Sequence, residues 1–270
     1  MEKVKIKGDD RKAALRARTR DRVYKFILGG GAVRGALINA PRMITEMRAN
    51  HQLGILETYV LGQAFLAGAL AAAELKATNR LRMQINCKGP IKGWTVDANA
   101  LGEVRGYLFR IPIPIDNPME SFDLTPFYGP GVLSLTRYLQ DAKHPFTGQT
   151  ALLNGSLAKD LANYYLESEQ IPTAFHLSIK FDRQGFVAGA GGLFLQAMPQ
   201  AKESLLTSLE ERVARMPSLG EWSAKREPPE SLLIKHFADQ EPKILDHERV
   251  EFYCSCTRDR LANYILSLIH

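Results

Sequence analysis

Between Leu53 and Ala77 the chain runs without a proline through a stretch dominated by leucine and alanine. The pattern predicts a long helix that is apolar on nearly every face, and such a helix has to be buried on all sides. Its most apolar part is Ala64–Ala73. A membrane span needs about 20 mostly apolar residues, and extending this run brings in Gln63 and Glu57 on one side, Glu74 and Lys76 on the other. The reading is therefore a central core helix, covered by sheet or by a partner subunit, and not a membrane protein.

Such a helix needs a large body around it. With 270 residues, 45% of them hydrophobic and 24% charged, the chain can build one large core plus a smaller satellite unit. Three cysteines are too few for a secreted disulfide scaffold, so a reducing cytoplasm is the expected setting. Met1 to Arg22 has no apolar segment of the signal-peptide kind. That same segment holds nine Lys/Arg against four Asp/Glu, which accounts for +5 of the net charge of +6. Without interleaved aromatics, this basic arm reads as a solvated tail with no specific nucleic acid as partner.

Around the central helix, Arg22–Leu28 and Ala32–Ile38 read as strands joined by a turn at Gly29–Gly31. A short helix over Arg42–Ala49 follows Pro41. Leu81–Asn86, Ile91–Val96 and Val104–Phe109 read as an antiparallel meander. The proline-rich segment Ile111–Pro130 is expected to be a loop or insertion over the surface. Val132–Tyr138 and Phe146–Leu153 resume strand character, Ser156 caps a helix to about Glu167, and Thr173–Phe181 with Phe186–Met198 forms a hairpin. Beyond Pro199 come an amphipathic helix over Lys202–Arg215, a polar stretch over Ser218–Pro229, and a short helix over Glu230–Phe237. Lys243–Tyr253, two cysteines and a helix over Thr257–Leu268 then begin a unit too short to bury a core alone.

The motifs narrow the chemistry. Gly29–Gly35 and Gly189–Gly192 lack the strand–turn–helix setting of a phosphate loop and read as turns and bulges. No G-x-S-x-G, no H-E-x-x-H and no local Cys/His signature is present, and the histidines are scattered singly, so the chain is not read as an enzyme. Cys254-Ser255-Cys256 is the most informative triplet. Two thiols one residue apart can clasp a soft metal, but a structural tetrahedral zinc takes four ligands. His247 and His270 could complete the set, although the spacing fits no standard zinc pattern. The alternative is a pair of small, partly buried cysteines. Cys87 has no assigned role.

Several blocks together resemble the redox-regulated 33-kDa heat-shock chaperonin family. They include Asp21–Phe26 with Ala32–Gly35, Ala73–Lys76 with Leu81–Pro90, and Val104–Gly106. The most specific run is Gly148–Met198, with Asp160-Leu-Ala162, Tyr164-Tyr165, Ser168-Glu-Gln170 and Gly191-Gly192, and Val250–Arg260 resembles the start of that family's zinc module. The resemblance implies an α+β fold, mostly antiparallel sheet around a long buried helix. It implies a basic arm (1–20), a core (21–198), a helical linker (199–242) and a partial redox/zinc module (243–270).

The resemblance also implies an ATP-independent holdase for unfolded client proteins, switched on when oxidation expels zinc, forms disulfides and unfolds the linker, and acting as a homodimer. Cys254 and Cys256 match the family's first cysteine pair. The second pair is not found before the last residue, His270, so only half of the expected zinc site lies in the sequence and the switch is expected to stand half open. A thiol-disulfide oxidoreductase using Cys254 and Cys256 is the alternative, since the helix expected after Cys256 would lower a thiol pKa.

Overall fold

The computed structural model describes residues 21–115 and 123–254, with 262, 266 and 267 beyond them. Two sheets carry the architecture. The first has five antiparallel strands in the order β10-β1-β2-β9-β8, where β1 is Arg22–Leu28, β2 Val33–Asn39, β8 Thr173–Phe181, β9 Val187–Ala197 and β10 Lys243–Arg249. The second has six in the order β11-β5-β4-β3-β6-β7. Its members are β3 Arg80–Cys87, β4 Gly93–Asn99, β5 Glu103–Leu108, β6 Gly131–Tyr138, β7 Phe146–Ala151 and β11 Glu251–Phe252. In this sheet only the β11–β5 pair is parallel.

The long apolar run folds as a helix over Ile55–Ala72, preceded by a shorter one over Pro41–His51; these are α2 and α1. By length and composition α2 could cross a membrane, yet sixteen of its eighteen residues are buried inside the protein. It touches β2, β8 and β9 of the first sheet and β3, β4 and β5 of the second, so it is the filling between them. Two glycines let it sit that close. A Cβ on Gly62 would stand 2.4 Å from Cδ1 of Ile179 in β8, and one on Gly68 would stand 2.9 Å from Cγ1 of Val96 in β4. Each Leu or Phe fully buried here contributes roughly 1.5–3 kcal/mol, which explains why so apolar a helix is stable only between two covering layers.

The other α-helices that lie wholly within the described residues are α3 Thr125–Tyr128, α4 Leu157–Glu169, α5 Glu203–Ala214, α6 Leu219–Lys225 and α7 Pro229–Phe237. The sequence reading of 111–130 as a surface loop needs correction. Ile113, Leu124 and Tyr128 are buried, the Ile113 N–H donates to the carboxylate of Glu57 on α2 at 2.9 Å, and Trp94 Nε1–H donates to the Tyr128 hydroxyl at 3.3 Å. Among the described residues, Ile113 at one end and Leu124 and Tyr128 at the other tie this segment to the core in spite of its prolines. Residues 116–122 and most of the helix expected over Thr257–Leu268 lie outside the described residues, as does the basic arm.

Candidate functional site: a helical cover and the strand crossover before Cys254

The last described strands are where the sheets meet. β10 adds to the edge of the first sheet, pairing Arg249 with Arg22 and Ile244 with Phe26. One residue later the chain changes sheets. Val250 is buried and its N–H donates to the Asp21 carbonyl at 3.1 Å, and then β11 pairs with β5, Glu251 beside Glu103 and Phe252 beside Val104. Phe252 is buried against α2, its ring 6.1 Å from that of Phe65, and its edge meets His51 at 5.9 Å. Tyr253 follows, its N–H donating to the Val104 carbonyl at 3.0 Å, and then comes Cys254.

Cys254 is a free thiol, half-buried against the central core. Cys256, its expected partner, lies outside the described residues, as does His270. Cys87 is also free, at the end of β3, and burial pushes its thiol up. Three strand spacings separate β3 from β11 in the sheet, about 14 Å laterally, so Cys87 and Cys254 do not share a metal in one chain. His247 lies on β10, with its ring 5.9 Å from that of Tyr24. Among the described residues no three of His, Cys, Asp and Glu come together as a metal-binding group. The described donor set therefore does not fit a closed tetrahedral zinc site.

Asp21 supports the crossover from below. Its carboxylate accepts the Met43 N–H at 2.6 Å at the start of α1, while its carbonyl holds Val250. Burial raises its pKa to about 7 against the lowering effect of those helix N–H groups and of Arg42.

The second part of the site is the cover over the first sheet. Phe26, Leu28, Val33, Leu37, Leu193 and Leu195 present an apolar face, and α5, α6 and α7 close over it with Leu209, Val213, Leu219, Trp222, Leu233 and Phe237. Glycines bring α6 down to the sheet. A Cβ on Gly191 of β9 would stand 2.6 Å from the Leu219 carbonyl, and one on Gly220 would stand 2.7 Å from the Lys180 nitrogen. The Gly189–Gly192 run is thus not a turn but lies within β9, its first residue bordering the bulge that skips Ala188 in the pairing with β8, and it is kept bare for a helix backbone. Ser223 fixes the contact by donating to the Asn39 side chain at 2.7 Å and accepting the Ala190 N–H at 3.0 Å.

Helix α5 is held less fully. An open cleft of about 620 Å³ lies between it, α4 and β8, lined by Ser156, Lys159, His176 and Val213 among others. Its firmest polar tie is Arg212, which forks onto Asp239 beyond α7, Nη2 to Oδ2 at 2.6 Å. Burial holds His176 below its usual range, against the raising effect of the Pro217 backbone in the connection between α5 and α6.

Sequence reasoning misses α6, because the composition of Ser218–Pro229 is that of a polar stretch. The signal was present. Ser218-Leu-Gly-Glu221 is a capping-box pattern, and the Ser218 hydroxyl accepts the Glu221 N–H at 3.3 Å. Lys243–Phe252, expected to begin a separate unit, is built into the edges of both sheets.

A two-sheet α+β body with a helical cover over an apolar sheet face, and a cysteine-bearing segment threaded across the edges of both sheets, is the class this fold defines. Comparison with known proteins places it more narrowly. The family model described as Hsp33 protein matches residues 21–270. The 33 kDa chaperonin of Levilactobacillus brevis is 31% identical over 252 residues, covering 92% of this chain and 85% of the relative. That of Desulforamulus reducens is 32% identical over 249 residues, covering 92% and 84%. Among solved structures, the 33 kDa chaperonin (heat shock protein 33 homolog) of Thermotoga maritima aligns with a TM-score of 0.82 at 27% identity, over 92% of this chain and 85% of that one. The chain belongs to the Hsp33 family.

Proposed function

We propose that this protein is a chaperone of the holdase kind, which binds unfolding proteins without ATP and works in the reducing cytoplasm under redox control. The observation that carries the reading is the apolar face of the first sheet lying under α5–α7, a cover of three short helices, with an open cleft beside α5. Exposed apolar patches of that kind bind other apolar chains, and short, separately docked helices are the elements that open locally at low cost. In this reading 21–198 is the working body, 199–242 the releasable linker, and 243–270 the sensor.

The sensor is the Cys254–Cys256 pair. Peroxide converts one thiolate to a sulfenic acid, releasing hydroxide. The neighbouring thiol displaces the second oxygen as water and closes a disulfide. Because only Tyr253 separates Cys254 from β11, a change in its backbone pulls on Phe252, Val250 and β10 in turn, and through β10 on the end of α7. Homodimer formation in the active state is part of the proposal. Zinc enters through family membership alone.

The test is light scattering of heat-unfolding luciferase with the chain either reduced or peroxide-treated. Suppression after oxidation supports the redox-controlled holdase, and suppression in both states supports a holdase whose switch stands open. Aggregation unchanged by either form refutes the holdase reading.

A further inference from the structure

The first sheet ends in β10, and β10 is poorly matched to the position it fills. Its sequence, Lys-Ile-Leu-Asp-His-Glu-Arg, is mostly charged and its side chains are mostly exposed. On the covered side of the sheet, Tyr24, Phe26 and Leu28 of β1 belong to or pack against the second core cluster, and from β10 only Ile244 joins them. Leu245 is left out of the pairing by a bulge, where β1 steps from Lys25 to Phe26 and the partner steps from Asp246 to Ile244. Leu245 is 57% exposed. Beyond the backbone ladder with β1 and Ile244, the side-chain ties of the strand to β1 are the Lys25–Glu248 ion pair at 2.7 Å, partly open to water, and the Tyr24–His247 ring contact. An ion pair so exposed contributes at most about 1 kcal/mol.

These features define a guard strand. Charges and a bulge on an edge strand discourage another chain from adding outside it, while the edge it protects, β1, is flanked by apolar side chains. Removing β10 would leave the outward N–H and C=O groups of Arg22–Leu28 unpaired beside Phe26 and Tyr24. An extended segment with apolar residues at alternate positions satisfies both the ladder and those side chains, as in recognition by strand addition.

Resting on the holdase reading above, we propose that β10 is a displaceable placeholder and that the β1 edge it covers takes an extended apolar segment of an unfolding protein as an added strand. The position of β10 suits this role, because it joins the cover helices on one side to the β11–Cys254 segment on the other. Release of either neighbour frees one end of it.

Hydrogen exchange read by mass spectrometry tests this on the peroxide-treated full chain, with and without heat-unfolding luciferase, while scattering is followed in the same samples. The expected result is suppressed scattering, exchange at Lys243–Arg249 faster by at least ~10-fold on client binding, and continued protection of Arg22–Leu28. Suppressed scattering with β10 as protected as before, or more so, overturns strand displacement and leaves the holdase reading standing. Loss of protection in both strands also overturns it, because no strand then occupies the edge. If β10 is released and β1 protected without client, and the chain sediments as a dimer, the occupant is a second copy and the client assignment fails. Unsuppressed scattering removes the holdase reading and this proposal with it.

Discussion

The rings of Phe65 and Phe252 lie 6.1 Å apart at an interplanar angle of 26°, stacking the last described strand before Cys254 on the central helix. This contact joins the most buried element of the fold to the segment that leads into Cys254. In the proposed switch, the seating of this ring is what a change at Cys254 would disturb first.

Phe252→Ala should therefore do two things. Truncating a buried phenylalanine costs about 3–5 kcal/mol, and part of that loss should be confined to β11 and β10. The expected outcome is a lower melting temperature and faster limited proteolysis between 240 and 254. Reduced chain carrying the substitution should also suppress aggregation better than the unaltered reduced chain.

Gly191→Ala should loosen α6. The added Cβ meets the Leu219 carbonyl at 2.6 Å, and a backbone contact of that kind has no side chain to swing aside, so a cost of about 1–3 kcal/mol is expected. Dye binding to exposed apolar surface, followed by fluorescence on reduced protein, should rise. Unchanged fluorescence with unchanged stability would mean that α6 does not sit on β9 in solution.

The pH dependence has two opposite contributions. Burial raises the Asp21 pKa from an ordinary 3.8 to about 7, so the unfolded chain releases this proton first. Its contribution to stability is complete below pH 4 and is lost as the pH rises through 7. Asp21→Asn, which keeps an oxygen for the Met43 N–H, should gain stability over the unaltered protein between pH 4 and 7, with the gain levelling off above about pH 8. Denaturant melts at a series of pH values measure it. A constant difference across the series would count against the buried neutral carboxyl.

His176 acts the other way. Burial lowers its pKa below 6.5, and burial also lowers that of His236 on α7. Both therefore favour the closed cover above pH 6.5 and withdraw that support as the pH falls below it, because an opened cover lets the rings take up protons. Exchange of amides in 203–225 on reduced chain should speed up between pH 7 and 5, after correction for intrinsic rates. His176→Phe should flatten that change.

Much of this protein was legible from local pattern. The proline-free apolar run over 53–77 could be stable only as a buried helix, and it is the filling between the sheets. Period-two alternation marked most strands, Gly29–Gly31 marked the first turn, and the family blocks from Gly148 to Met198 marked the chaperonin resemblance. Placement of the functional segments was not legible in the same way. A polar strand such as Lys243–Arg249 carries no apolar face to say which sheet it joins. Its position comes from hydrogen bonds to β1, more than two hundred residues away in sequence. The glycines of β9 looked like turns because the helix backbone that needs their bareness arrives only in the folded protein. Local sequence determined most of the helices and strands and the central helix of the core. Tertiary structure decided that the chain crosses from one sheet to the other just before Cys254, because strand pairing and helix docking depend on distant partners that no local period encodes.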